Sequence, residues 1–365
     1  MRNQRIWKAF LLGFILIQTN LCLKVQDQSS KPKVRPTLKF NENHEFVILQ
    51  ITDLHYGESE EKDLRNDMIH RKLIEMSKPD LVVITGDSIS GYEWDDTIGW
   101  FAKLWKRFTK PYEDLKIPYA YTLGNHDIEA DASLEEIEFL EKSHPYSMFD
   151  GTTEIDPTSL SNYVLHIYSA FEKATNKVAA LAWLFDSKKK CFDMSNGNGC
   201  IGETQLNWYE DMSNKHLNAD GSKIEGMSFF HVPIREFVTV WNWGLTFGVK
   251  GESVCCPAYQ TKVFQRFKKV GNMRAIVCGH DHNNNFAGKL EGIDLIFGQK
   301  TGYGSYGPSL TQRGGTVYTL KEKITPSGKV TFDYISHILF EDGSIQKPDQ
   351  PRWQGFNQFQ THCNN

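Results

Sequence analysis

The chain has 365 residues, 40% of them apolar and 24% charged, with a formal net charge of −4. That balance excludes wholesale disorder, and it leaves no basic excess for an electrostatic nucleic-acid binder. The length suits one large or two small domains.

At the N-terminus, Arg2, Arg5 and Lys8 precede an apolar run from Ala9 to Ile17, which stops at Gln18. A membrane-spanning helix needs about 20 apolar residues. The pattern therefore predicts a signal peptide over residues 1–22, with an uncleaved anchor as the alternative. A signal peptide places the protein in a secreted form or in a lysosomal or vacuolar lumen, with no stable membrane insertion after cleavage. Residues 23–43 are polar and read as a flexible lead-in.

From residue 44 to about 340 the pattern is that of a folded domain. A β-rich run from Phe46 to Ile51 ends at Thr52-Asp53. Leu64, Met68, Leu73 and Met76 recur at helical spacing until Pro79. Leu81–Ile84 is an apolar strand ending at Gly86-Asp87, and Phe101, Leu104, Trp105 and Phe108 form a second helical stripe suited to a core. Tyr119 to Leu123 is a strand ending at Gly124-Asn125, and Ser133 with Glu136 signals a capping box. Strands are further predicted at 178–185, 227–230, 274–278, 293–297, 316–320 and 330–339, with few helices between them. Strand–helix alternation followed by mostly strand predicts an α/β fold of packed sheets flanked by helices. The tail, 341–365, reads as irregular.

Of the seven cysteines, Cys191 and Cys200 bracket a short Gly/Asn loop and are the favoured disulfide pair. No Cys-x-x-Cys exists, so a thiolate zinc site has no support. Cys278 lies inside an apolar run and reads as buried and inert.

The chemistry concentrates at five strand ends: Asp53-Leu-His55, Gly86-Asp87, Gly124-Asn125-His126-Asp127, His231, and Gly279-His280-Asp281-His282. Each follows an apolar run, so the loops that carry them gather at the carboxyl edge of a sheet. Carboxylate and imidazole without thiolate suit Zn, Fe or Mn better than Ca²⁺. Asp53, His55, Asp87, Asn125, His231, His280 and His282 are the candidate ligands. They exceed one tetrahedral site and suit two ions sharing a carboxylate.

These five blocks together resemble the calcineurin-like metallophosphoesterase superfamily over about residues 45–340. Leu49-Gln-Ile-Thr-Asp-Leu-His55 and Phe230-His-Val-Pro-Ile-Arg-Glu-Phe237 bring it near the small purple-acid-phosphatase-like phosphatases of plants and protists. The resemblance implies two mixed β-sheets packed face to face with helices outside, an αββα sandwich. It implies one metal site from Asp53, His55, Asp87 and His282, bridged by Asp87 to another from Asn125, His231 and His280. It assigns His126 to the leaving group or transition state, with Asp127 orienting it. The implied activity is a phosphomonoesterase using a metal-bound hydroxide on a small phosphorylated substrate. A phosphodiesterase acting on cyclic nucleotides or lipid headgroups, or an inactive binding protein, are the alternatives. True purple acid phosphatases carry a tyrosine three residues after the bridging aspartate; here that position is Ser90, with Tyr92 nearby. A colourless enzyme is therefore expected. The aromatic segments Trp241–Phe247 and Tyr303–Tyr306 are candidates to flank the crevice, with surface loops in a packing role as the alternative.

Overall fold

A computed structural model describes residues 35–171, 177–191, 198–259, 261–347 and 359–363. The expected signal peptide and most of the lead-in lie outside these residues, and so does most of the tail. The first third alternates β1 (Glu45–Ile51), α1 (Glu60–Ser77), β2 (Leu81–Thr85), α2 (Trp100–Leu115), β3 (Tyr119–Thr122) and α3 (Leu134–Ser143). There follow β4 (Tyr163–Tyr168), β5 (Val178–Leu184), α4 (Glu203–Lys215), β6 (Gly226–Phe229), α5 (Glu236–Trp243), β7 (Thr246–Phe247) and α6 (Val263–Val270). The chain continues through β8 (Met273–Cys278), β9 (Ala287–Leu290), β10 (Ile293–Phe297), β11 (Gly314–Ile324), β12 (Val330–Phe340) and β13 (Ile345–Gln346).

The strands form two mixed sheets, in the orders β13-β12-β11-β1-β2-β3 and β4-β5-β6-β8-β10-β9-β7. Strands β1, β2 and β3 run parallel in the first sheet, and β5, β6, β8 and β10 run parallel in the second. Strand alternation sorts the core into layers. In β5, Ala180, Ala182 and Leu184 join the larger cluster with Ile48, Val83 and Phe229. Leu181 and Trp183 face the other way, into the cluster holding Leu206 and Tyr209 of α4 and Phe264 and Phe267 of α6. The αββα sandwich implied by the resemblance is the observed fold.

The helix expected after β1 exists, but of its apolar stripe only Leu73 lies on the buried face. Leu64 and Met68 are exposed, whereas Asn66, Ile69, His70, Leu73 and Ile74 are buried. Polar residues occupy this face because each has a partner. Asn66 Nδ2 donates to the Leu54 carbonyl at 2.9 Å, and His70 Nε2 lies 2.5 Å from the Tyr112 hydroxyl. The stripe of α2 is core as expected, with Phe101 and Phe108 fully buried. The capping box of Ser133 and Glu136 opens α3.

Among the described residues the second half holds three helices, α4, α5 and α6, where few were expected. Both edges of the domain extend beyond 44–340. Leu38 and Phe40 are buried, and the Phe40 N–H donates to the Tyr168 carbonyl, so the lead-in is packed from about residue 38. In the tail, β13 pairs with β12, and Cys363 is bonded to Cys256. The expected Cys191–Cys200 disulfide is present.

The Cys256–Cys363 bridge spans 107 residues and Cys191–Cys200 spans 9. Chain entropy predicts up to about 4.7 kcal/mol for a loop near 100 residues and under about 3 kcal/mol for the short one. Cys363→Ser is thus expected to lower the unfolding free energy in urea more than Cys200→Ser; the reverse order would contradict this.

Candidate metal centre

The parallel strands of both sheets deliver their carboxyl ends to one place. β1 leads to Asp53 and His55, β2 to Asp87, β3 to Asn125, β6 to His231, and β8 to His280 and His282. Backbone hydrogen bonds lock these ends together: Asp53 N–H to the Gly86 carbonyl at 3.1 Å, His55 N–H to that of Asp87 at 3.0 Å, and Gly279 N–H to that of His231 at 3.1 Å. Asp53, His55, Asp87 and His280 all have positive φ, between 49° and 76°. Non-glycine residues adopt that region rarely, and four of them at strand ends mark stored strain of the kind that clusters at functional sites. Gly124 is required by contact, since a Cβ there would overlap Asp87 Oδ1.

The side chains form two groups. In one, Asp53, His55 and His282 present ligand-type atoms within 4.8 Å of one another; in the other, Asp87, His231 and His280 do the same. Asp87 Oδ2 lies 3.1 Å from His231 Nε2 and 3.7 Å from His55 Nε2, so it stands between the groups. Asn125 Oδ1 is 3.1 Å from His231 Nε2. All seven candidate ligands are therefore brought together.

The donor set fits cations. His231 Nδ1 is bonded to the Thr85 carbonyl at 2.8 Å and His282 Nδ1 to the Tyr306 carbonyl at 2.9 Å. A carbonyl only accepts, so both rings carry their proton on Nδ1, and in the neutral form the Nε2 lone pair faces the cluster. His55 Nδ1 pairs with Ser90 Oγ at 3.0 Å. His55 Nε2 and His282 Nε2 then approach to 3.3 Å, and His231 Nε2 and His280 Nδ1 to 3.1 Å. Asp53 Oδ1 is buried without a hydrogen bond, 3.2 Å from His282 Nε2. Inward lone pairs and an orphaned carboxylate oxygen call for positive charge between them.

The electrostatics show the same pull toward positive charge, which reaches His231 itself. Burial works against ionised Asp87, yet the imidazoles of His231 and His55 outweigh it and hold its carboxyl well below the carboxylate range. Burial also disfavours charged His231, but Asp87 overrides it and lifts the imidazole to about 10. Burial, reinforced by His231, pushes His280 down to about 3.

His126 behaves differently. Its Nδ1 lies 2.5 Å from Glu129 Oε2, a carboxylate rather than a carbonyl, and its ring stands edge-on to Tyr92 at 4.7 Å. The backbone N–H of His126 donates to Asp87 Oδ1 at 2.9 Å. Asp127, expected to orient His126, does not do so. Its carboxylate turns inward to accept from the N–H groups of Asp87, Ile89 and Gly124 at 2.8–2.9 Å, tying two strand ends together. Burial and the neighbouring Asp87 raise it to about 6. The group that sequence reading missed is Glu129, two residues on.

A second missed residue is Lys300. It is 1% exposed, and its Nζ donates to the Asp53 carbonyl at 2.9 Å. Burial pushes it down to about 8, against the pull of Asp53. It follows β10, one more apolar strand with a polar end, so the rule that found the other five blocks points to it as well.

Of the two aromatic segments, only part of the second flanks the cluster. Tyr306 stacks on His282 at 4.2 Å, whereas Trp241 packs on Phe286 and Trp243 on Phe359. Tyr303 lies between the guanidinium groups of Arg65 and Arg313. Cys278 is buried, and burial raises its thiol well above the ordinary range, in keeping with an inert residue.

Residues 46–284 match the family described as calcineurin-like phosphoesterase. The chain is 31% identical to a protein of Arabidopsis thaliana named "Probable inactive purple acid phosphatase 28", covering 96% of this chain and 94% of that one. It is 26% identical to "Probable inactive purple acid phosphatase 29" of the same plant, over 90% and 89% of the two chains. Among solved structures, "GAP50 the anchor in the inner membrane complex of Plasmodium" superposes with a TM-score of 0.50 at 15% identity. It covers 84% of this chain and 90% of that one, a likeness of fold alone.

Proposed function

The chain belongs to the calcineurin-like phosphoesterase family, and on that premise we propose that it is a metal-dependent phosphomonoesterase. The observation that carries the reading is the full set of seven donors, with Asp87 between the two groups. Asp53, His55, Asp87 and His282 would hold one ion, and Asp87, Asn125, His231 and His280 the other. Bound ions would neutralise phosphoryl oxygens and activate water. Around them, Ser90 and the carbonyls of Thr85 and Tyr306 fix the ligand rings, and Lys300 offsets the buried carboxylates. His126, one-third exposed at its side chain, would offer Nε2 to the leaving oxygen as a proton donor.

The relatives' names include the word inactive, which favours a second reading, a binding protein that retains the fold. Turnover of an aryl phosphate monoester and a bis-aryl diester by the metal-reconstituted protein separates the two readings. Faster hydrolysis of the monoester supports the proposal, and diester preference would recast it as a phosphodiesterase. Full metal content without hydrolysis of either would support the binding protein.

Tyr92 bears on colour. Its hydroxyl is 2.5 Å from Glu58 Oε1 and 3.1 Å from Ser90 Oγ, and burial together with Glu58 raises it to about 12. It is held as a neutral phenol against a carboxylate. The iron-loaded protein is therefore expected to lack a tyrosinate charge-transfer band; a visible band lost in Tyr92→Phe would contradict this.

We also propose a secreted or lysosome-type location. Two disulfides suit an oxidising compartment, and no helix among the described residues is long and apolar enough to cross a membrane. Sequencing the N-terminus of the natural protein should find residues 1–22 missing; a cytosolic protein beginning at Met1 would overturn this.

A further inference from the structure

Glu129 contacts two side chains at once. Oε2 meets His126 Nδ1 at 2.5 Å, and Oε1 meets Lys189 Nζ at 2.7 Å. The carboxylate thus has one oxygen committed to each partner, and its side chain is only 16% exposed.

Lys189 is delivered by a built turn. Asp186, 2% exposed at the end of β5, accepts from the N–H groups of Leu160, Ser161 and Lys188 at 2.7–3.2 Å. Lys188 takes positive φ, 61°, and its ammonium is tied to Asp156 at 2.6 Å. The Cys191–Cys200 disulfide then brings Gly199 back against this turn. A Cβ at Gly199 would overlap the Lys188 and Ser187 carbonyl oxygens. A buried aspartate, a left-handed lysine, a disulfide and a tightly packed glycine all fix where Lys189 stands.

We propose that Glu129 is the positioning residue for His126, and that the disulfide-closed turn holds Glu129 in place through Lys189. With Nδ1 pinned to Glu129, the His126 ring can present only Nε2 elsewhere, and the edge contact with Tyr92 limits its rotation. Lys189 occupies the second carboxylate oxygen and resists rotation of the Glu129 side chain. This places Lys188 and Lys189 in the support of the site. The inference rests on the phosphatase reading for its kinetic consequence, but not for its geometry.

The test compares the metal-reconstituted wild type with Glu129→Gln, Glu129→Asp and Lys189→Met. Glu129→Gln should keep both metals and lower kcat for an alkyl phosphate by about tenfold or more beyond its effect on an activated aryl phosphate, because only the poor leaving group needs a placed proton donor. Glu129→Asp should recover part of that loss, and Lys189→Met should fall between Glu129→Gln and wild type with KM unchanged. Equal losses for both esters, or a rise in KM alone, would overturn the assignment. Proton NMR gives a readout that needs no turnover. A hydrogen-bonded imidazole N–H resonance, assigned by its loss in His126→Ala, should vanish in Glu129→Ala; its persistence there would also overturn the proposal. A wild type that hydrolyses neither ester would remove the phosphatase reading, and the NMR result alone would then decide the placement.

Discussion

Asp87→Ala is expected to lower turnover by about 10³-fold or more and to reduce bound metal from two ions per chain. Asp87 stands close to histidine rings of both groups, 3.1 Å from His231 and 3.7 Å from His55. Removing it takes the shared ligand and several kcal/mol of charge stabilisation, at about 1.4 kcal/mol per factor of ten. The change has a second effect, because Asp87 Oδ1 also accepts the backbone N–H of His126. Asp87→Asn keeps an acceptor there while removing the charge. If loss of charge is what matters, Asp87→Asn should lose nearly as much metal and turnover as Asp87→Ala. Near-normal metal content and turnover in Asp87→Ala would end the dinuclear assignment.

His126→Ala has the next largest expected effect, and its signature is selective. His126 lies beside Asn125 in sequence, yet its ring nitrogen is bonded to Glu129 and not to the ligand cluster. Its replacement should leave both metals bound. Turnover of alkyl phosphates should fall by about 10²–10⁴-fold, the usual range for general acid catalysis, and turnover of activated aryl phosphates far less, since an aryl oxygen departs without a proton. Equal losses for both would mean that His126 stabilises the phosphoryl group itself. Loss of metal would mean that it is a ligand.

Much of this site was legible because each ligand follows a strand whose apolar run is visible without its partners. Leu81–Ile84 and Ile276–Cys278 are buried on both faces, so they read as continuous apolar stretches, and the polar residues that end them stand out. What stayed hidden depends on side-chain direction. The resemblance made Asp127 the expected partner of His126, but the turn after β3 points Asp127 at backbone amides and brings Glu129 round to the imidazole. No periodicity reports that choice.

The same limit explains α1. Its apolar stripe suggested Leu64 and Met68 for the core, whereas the buried positions include Asn66 and His70, whose partners come from distant parts of the chain. Cys256–Cys363 was equally out of reach, because only the packed fold brings residues 107 positions apart together. The nine-residue spacing of Cys191 and Cys200 could be read locally.

The central claim is that seven side chains from both sheets form one site for two ions sharing Asp87. Its most direct test is the metal stoichiometry of the purified protein, stripped by chelation and reconstituted separately with zinc, manganese and ferrous iron. The account predicts two ions per wild-type chain with at least one of these metals, and at most one in Asp87→Ala. A wild-type chain that binds no more than one ion with any of the three, or an Asp87→Ala chain that still binds two, would contradict it.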